Sequence, residues 1–338
     1  MNLSLSIVIP VYNLEKYIGK CIKSLQSQIS CFENVKIYIV NDGSQDQSEK
    51  IIQSLIHDDN HFVYLYKENG GVSQARNYAL SYVNTDFVTF LDGDDYVSED
   101  YLQTLDAELS KSCQLLCFDY NRVTDSEVIP HVLNLKKDVL QLEPHYGLYG
   151  FLDFKLQNFI RPFVWNKVFR VDIINKFNLR FDEQKRIGED TIFTTAYLEK
   201  INEMKLLDIS LYNYLERTGS AMRRYNEYHL NESMEYFRCF REIAEENDLD
   251  IDNHYLLAYY ISRWFGMINN ESKGPNFQHG ITQLNKFLKF EEFKEYKKEI
   301  HFNKLSIKLK CYFILINLGM TKPIYLIMYI INKFTSIY

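Results

Sequence analysis

Residues 87–95 read FVTFLDGDD. An apolar run, Phe87–Leu91, stops at Asp92, and Asp92, Asp94 and Asp95 then fall within four positions, with Gly93 among them. The first half reads as a strand covered on both faces, because no charged residue alternates with the apolar ones. The second half demands compensation, since carboxylates this close repel unless a cation or hydrogen-bond donors neutralise them. Water would serve at a solvated turn; a metal would serve at a binding site. A calcium loop starting at Asp92 fails its own rule: position six is Val97, where glycine is needed, and position twelve is Gln103, where glutamate is needed.

The same strand-then-polar pattern recurs upstream. SLSIVIPV runs into Tyr12 and Asn13, VKIYIVND into Gly43 and Ser44, and FVYLYK into Glu68, Asn69, Gly70 and Gly71. Between them lie helical spacings. LEKYIGKCIKSLQSQ places Tyr17, Ile18, Cys21, Ile22 and Leu25 on one face. QSEKIIQSLI follows Asp46 as expected cap, with Glu49 completing a capping box. VSQARNYALSYV supplies a third helix. Repeated βα units with continuous apolar strands predict an α/β fold with a mostly parallel sheet, flanked by helices. Ligands of such sheets bind beyond the carboxyl ends of the strands, so the four polar strand ends are expected along one edge. Neither GxGxxG nor GxxxxGK[ST] occurs, which removes the dinucleotide and P-loop cradles.

The chain has 338 residues, enough for a large domain with an appendage. Its net charge of −7 argues against nucleic acid as a partner. Aromatic residues reach 15%, which suits either a sugar-handling surface or a core. Cys21, Cys31, Cys113, Cys117, Cys239 and Cys311 form no CxxC pair and no zinc pattern. Cys113 and Cys117 read as buried thiols of a reducing compartment. The start, MNLSLSIVIPVYN, lacks the basic region of a signal peptide, and no apolar stretch reaches the ~20 residues of a spanning helix. A cytoplasmic protein is expected.

After Pro130 the alternation weakens, and residues 131–160 read as a less regular insertion. From about Asn226 the pattern turns helical, so a catalytic domain over 1–225 and a helical region over 226–338 are expected, the former divided near residue 120. The stretch 301–338 is distinct: it carries Lys304, Lys308, Lys310, Lys322 and Lys333, no acid, and the apolar segments CYFILINL and IYLIMYII. It reads as a helical cap, as a homo-oligomer interface, or as a basic amphipathic surface for the anionic inner face of the cell membrane.

Taken in order, SIVIPVYNLEKYIGKCIKSLQSQ, IYIVNDGSQDQS, YKENGGVSQARNYAL, FVTFLDGDDYVSEDYL and GEDTIF resemble family 2 glycosyltransferases, which have the GT-A fold and include enzymes of bacterial cell-surface polysaccharide synthesis. The resemblance is strong over the first 110 residues, thins through WNKVFR, GEDTIF and YNYLERTGS, and fades after about residue 225. A lone DxD arises by chance in many chains; the ordered set is specific.

The resemblance implies an enzyme that moves a sugar from a nucleotide-sugar donor, UDP-linked by preference, to a hydroxyl of a glycan or lipid-linked acceptor. Its DxD motif would hold a divalent cation, Mn2+ or Mg2+, that bridges carboxylates to the donor diphosphate. Asp94 is the expected metal ligand, and Asp92 meets the ribose or the metal. Gly93 belongs to the same donor loop, and Asp95 supports it or faces sugar or acceptor. Pro10, Tyr12 and Asn13 would frame the base, and Asp42 would accept from the uracil N–H. Arg76 would meet base or phosphate oxygens, with Asn69 in the same pocket. Asp190 is the expected general base of an inverting displacement, and Glu189 would orient the acceptor or the loop. Arg217 and Ser220 would belong to a loop closing over the diphosphate. Trp165 and Lys167 would lie near sugar or acceptor.

Each assignment has a structural alternative. NDGS is ordinary turn chemistry. Arg76 could form a surface ion pair, acids at a helix start complement its dipole, and Trp165 could be core. A nucleotidyltransferase would need a Gly-rich basic loop where PVYNLEKYIGK stands. A non-catalytic glycan-binding relative would be expected to have lost the DxD or the acidic pair.

Overall fold

A computed structural model describes residues 3–32, 34–124, 126–130, 139–142, 163–184, 188–216, 225–246, 253–290, 302, 305 and 307–335. The chain divides into two compact units, Met1–Gly147 with Arg161–Arg217, and Leu148–Ile160 with Thr218–Tyr338.

In the first unit, β1 (Leu5–Val11) is buried along its whole length, as an apolar run between two neighbours must be. It pairs in parallel with β2 (Val35–Asp42), and β2 with β3 (Phe62–Lys67). The crossovers are α1 (Ile18–Gln26) and α2 (Ser48–Ile56). Of the face expected from the spacing, Ile18, Cys21, Ile22 and Leu25 are fully buried, and Tyr17, just before the helix, is half-buried. Each such aliphatic side chain stabilises the fold by about 1.5–3 kcal/mol. Helix α3 (Val72–Leu80) then returns the chain to β4 (Phe87–Phe90), parallel to β1 on its other side.

The cap expected for α2 differs in detail. Asp46 Oδ1 accepts from Ser48 N–H at 2.9 Å, and its Oδ2 from Glu15 N–H at 2.9 Å, so Asp46 ties two segments together. No capping box forms, because the Glu49 side chain turns to the Tyr64 hydroxyl.

Beyond β4 the sheet continues through strands that the sequence pattern does not reveal. After β5 (Tyr96–Val97) and α4 (Tyr101–Glu108) come β6 (Leu115–Val123), β7 (Val128–Pro130) and β8 (Val139–Gln141). Strand β9 (Lys167–Arg170), α5 (Val171–Lys176), α6 (Glu189–Leu198) and β10 (Glu203–Leu215) complete the unit. Among the described residues the order is β3-β2-β1-β4-β9-β6-β10-β5, with β7 on β6 and β8 on β10. Strand β9 lies antiparallel between β4 and β6, while β6 and β10 run parallel. The sheet is therefore mixed and mostly parallel, flanked by helices. Register shifts within β10, between Leu207 and Tyr212, hide its alternation from a period-2 reading.

The second unit is helical: α7 (His229–Glu246), α8 (Asn253–Ser272), α9 (Phe277–Leu288), α10 (Ile307–Asn317) and α11 (Thr321–Thr335). Asn276 caps α9, its Oδ1 accepting from His279 N–H at 2.7 Å. Trp264 of α8 is buried and donates its indole N–H to Thr321 Oγ1 at 3.0 Å. No single helix among the described residues is long and apolar enough to cross a membrane; α10 and α11 pass together by length and composition, bent by 105°. The insertion expected over 131–160 falls almost wholly outside the described residues.

Candidate active site

The carboxyl ends of β1, β2, β3 and β4 meet, and close backbone approach holds them together. A Cβ on Gly93 would lie 2.9 Å from Leu14 Cδ1 and 3.0 Å from the Pro10 carbonyl, so only glycine lets the acidic loop pass against the end of β1. Gly43 has φ +71°, and a Cβ there would press on the Asn69 backbone nitrogen. Asn13, also left-handed at φ 53°, accepts from Gln45 N–H at 2.7 Å through Oδ1, which joins the first two strand ends. Tyr12 beside it is exposed.

Asp42 is buried, and its carboxylate is saturated by its own chain. Oδ1 accepts from Lys67 Nζ at 2.6 Å and Gly70 N–H at 3.0 Å; Oδ2 accepts from Gly71 N–H at 2.8 Å and Asn69 Nδ2 at 3.3 Å. The acid thus caps the entry to α3 across two strands, where a negative charge complements the helix start. Asn69 also holds the Asp42 carbonyl, at 3.0 Å. An incoming N–H would have to displace one of these donors. Lys67, at the last position of β3, carries no signal in the sequence that would mark it as this partner.

Arg76 is the hub. It is buried, and its guanidinium forks between two acidic groups far apart in sequence. Nη2 donates to Asp92 Oδ1 at 2.9 Å; Nη1 donates to Asp190 Oδ1 at 2.6 Å and Glu189 Oε1 at 3.1 Å. The Phe181 ring lies 5.2 Å behind it. Arg76 is therefore neither a surface ion pair nor, in this state, a free phosphate ligand. The three carboxylates hold its charge above the usual arginine range, against the opposing effect of burial. Two buried polar atoms on this helix, Ser73 Oγ and Arg76 Nε, have no hydrogen-bond partner. Such orphans cost about 1–3 kcal/mol each unless water or a ligand reaches them.

Glu189 and Asp190 open α6. Burial pushes the Asp190 carboxyl up to about 7; Arg76 opposes this, while Glu189 and Asp92 add to it. A carboxyl near neutrality is suited to take and release a proton.

The acidic loop has a second support. Tyr212 of β10 donates to Asp95 Oδ2 at 2.7 Å and accepts from Asp92 N–H at 3.3 Å, while Leu215 N–H reaches Asp95 Oδ1 at 2.7 Å. Asp95 is 2% exposed, and burial, then the Asp92 charge, pushes it up to about 8. It braces the loop and faces neither sugar nor acceptor. Tyr212 opens the stretch YNYLERTGS, yet no role for it was legible there, because its strand does not show in the pattern.

Two further expectations are corrected. Trp165 is 4% exposed and stacks on Phe163 at 4.6 Å and on Tyr212 at 4.4 Å, so it offers no free face to a sugar. Lys167 is fully buried; its Nζ donates to the Phe163 carbonyl at 2.7 Å and Asn166 Oδ1 at 2.8 Å. Burial pulls it down to about 8, and the Cys117 and Asp190 charges pull the other way. It acts as an internal cation near the acidic pair. Arg217 and Ser220 lie outside the described residues.

Comparisons with known proteins bear on the family and the fold. The model of glycosyl transferase family 2 matches residues 6–171, the span from β1 to the start of α5. Residues 6–171 of the chain carry a domain of this family. Streptococcus pneumoniae glycosyltransferase GlyA is 31% identical over 229 residues, 66% of this chain and 32% of GlyA. The Bacillus subtilis minor teichoic acid biosynthesis protein GgaB is 32% identical over 241 residues, 66% of this chain and 24% of GgaB. The chain thus spans a third or less of these two relatives. In fold it resembles residues 1–349 of Staphylococcus aureus TarS, solved in complex with UDP-GlcNAc. The TM-score is 0.65 and the identity 20%, covering 89% of this chain and 84% of that one. The fold is GT-A.

Proposed function

We infer that this family 2 chain is a glycosyltransferase that moves a sugar from a UDP-linked donor to a hydroxyl of a cell-surface glycan or lipid-linked acceptor, with inversion at the anomeric carbon. The observation that carries the reading is the Arg76 fork, which joins the strand-end acid Asp92 to the helix-start acids Glu189 and Asp190. Donor loop and base thereby share one site. The UDP-GlcNAc complex of TarS supports the donor class, and the role named for GgaB supports a cell-surface product. We place the reaction in the cytoplasm, at the inner face of the membrane.

In this reading the nucleotide lies over Pro10, Tyr12 and Asn13. Its uracil N–H replaces a present donor on Asp42, Lys67 being the one whose flexible stem can swing away. The orphan Ser73 Oγ and Arg76 Nε give further polar contacts beside it. Asp190 accepts the acceptor hydroxyl's proton as the glycosidic bond forms, and Glu189 holds the acceptor. Lys167 sustains positive potential behind the pair. Arg217 and Ser220 belong to the loop that closes over the diphosphate.

Asp92 and Asp94 suit a hard divalent cation, since both are oxygen donors and neither is fully buried. Among the described residues no cluster of three or more ligating side chains exists, so a cation held here would need water and substrate phosphate to complete its oxygen shell. When bound, such a cation screens the diphosphate and stabilises it as leaving group.

Calorimetric titration with UDP-, GDP- and dTDP-sugars, with manganese and with chelator, tests the reading. Metal-dependent binding of a UDP-sugar is expected. A folded protein that binds none of them in either condition would overturn it.

A further inference from the structure

The last two helices carry their apolar residues outward. On α10 and the turn after it, Ile307, Cys311, Ile314 and Leu318 are exposed, at the i, i+4, i+7, i+11 spacing of one helical stripe. Ile307 is 82% and Leu318 69% exposed. On α11, Leu326, Ile327, Ile330 and Ile331 form a second exposed stripe, each at least 44% accessible. The opposite side of α11 is well seated: Thr321 and Tyr325 are buried, Tyr325 donates to the Phe277 carbonyl at 3.2 Å, and Asn332 donates to Ser272 Oγ at 2.7 Å. These stripes are therefore surface of a fixed element. A helix apolar on its outer side needs a non-aqueous neighbour.

Charge identifies that neighbour. Residues 301–338 carry five lysines and no acid, a net +5, which leaves −12 on the preceding 300 residues. Lys308 and Lys322 are exposed beside the stripes. A second copy meeting this face through the same face would set lysine against lysine. An anionic bilayer offers both complements, phosphate headgroups for the lysines and acyl chains for the isoleucines. The 105° bend between the helices and their limited lengths favour lying in the interface over crossing it.

We propose that α10 and α11 form a peripheral docking surface for anionic lipid, with Ile307, Ile314, Leu318, Leu326, Ile327 and Ile331 as inserting residues. The surface would hold the enzyme on the membrane independently of donor binding.

The test is co-sedimentation of the full chain with phosphatidylglycerol-containing vesicles and with pure phosphatidylcholine vesicles. Binding to the anionic vesicles, more than tenfold stronger than to the zwitterionic ones and weakened by salt, is expected. Lys308→Gln and Lys322→Gln should each weaken it roughly fivefold. Ile327→Gln with Ile331→Gln should abolish it, while circular dichroism and UDP binding stay as in the parent. A full chain that stays in the supernatant with both vesicle types would sink the proposal. So would binding unchanged by the isoleucine pair, or a dimer in light scattering that this pair dissolves. UDP titration of the same samples separates this outcome from failure of the donor reading.

Discussion

The edge of the sheet and the outer side of the last two helices break the ordinary inside–outside rule in opposite directions. At the edge, charged groups are drawn in: Asp42 and Arg76 are each under 4% exposed. On α10 and α11, isoleucine and leucine are pushed out. Buried charge persists only where partners neutralise it, and each of these has them. Exposed apolar stripes persist where another phase covers them. The difference teaches that the first region is built for chemistry and should respond steeply to substitution. The second is built for contact and should be almost indifferent to it in water.

Asp190→Asn should give the largest effect, a loss of transfer of about 10²–10⁴-fold with donor binding retained. Normal transfer by this variant would remove Asp190 as base. The parent enzyme carries the matching pH signature. The ionised carboxylate is the active form, so kcat/KM should fall about tenfold per unit as pH drops below about 7 and be level above it.

Arg76→Leu comes next. It strands Asp92, Glu189 and Asp190 without their shared cation and should destabilise the fold by about 3–5 kcal/mol in denaturant titration. An unchanged midpoint would mean that solvent already screens these acids. Gly93→Ala forces a methyl against the Pro10 carbonyl and Leu14, at about 1–3 kcal/mol, and should weaken donor binding as the acidic loop retreats. Tyr212→Phe removes the hydroxyl shared by Asp95 and Asp92 and should cost about 1–3 kcal/mol. If Tyr212 positions the loop, KM for the donor should rise more than kcat falls; an equal fall in both would mark it as purely structural. At the bottom of the scale, Ile331→Gln should change stability by less than about 0.5 kcal/mol. A clear loss there would show that the outer stripe is core after all, and the comparison would fail.

Legibility follows the same divide. Strands β1 to β4 were readable because each is an uninterrupted apolar run closed by turn residues, and their ends could be grouped by topology alone. Strands β6, β9 and β10 were not. They lie where register shifts and antiparallel insertion erase any simple period, and β9 is only Lys167–Arg170. Residues read from motif order, such as Arg76, Glu189 and Asp190, came together in space. Those placed by the thinner resemblance did not keep their assigned roles. The resemblance through WNKVFR put Trp165 and Lys167 near sugar or acceptor, with a core Trp165 as the alternative. Only the packing of Phe163, Asn166 and Tyr212 around them shows that both are interior.

By itself the sequence determined the parallel βα half, the edge where its polar ends gather, the acidic motifs, and the charge contrast of the last 38 residues. These are local: periodicity, turn chemistry and composition act over a few residues. The tertiary structure decided what each charge meets. Arg76 reaches Asp92 sixteen residues away and Asp190 at a separation of 114, and Tyr212 reaches Asp95 at 117. Such partnerships arise when distant segments close around one desolvated space, where an unpaired charge is too costly to persist, and no window of sequence contains both members.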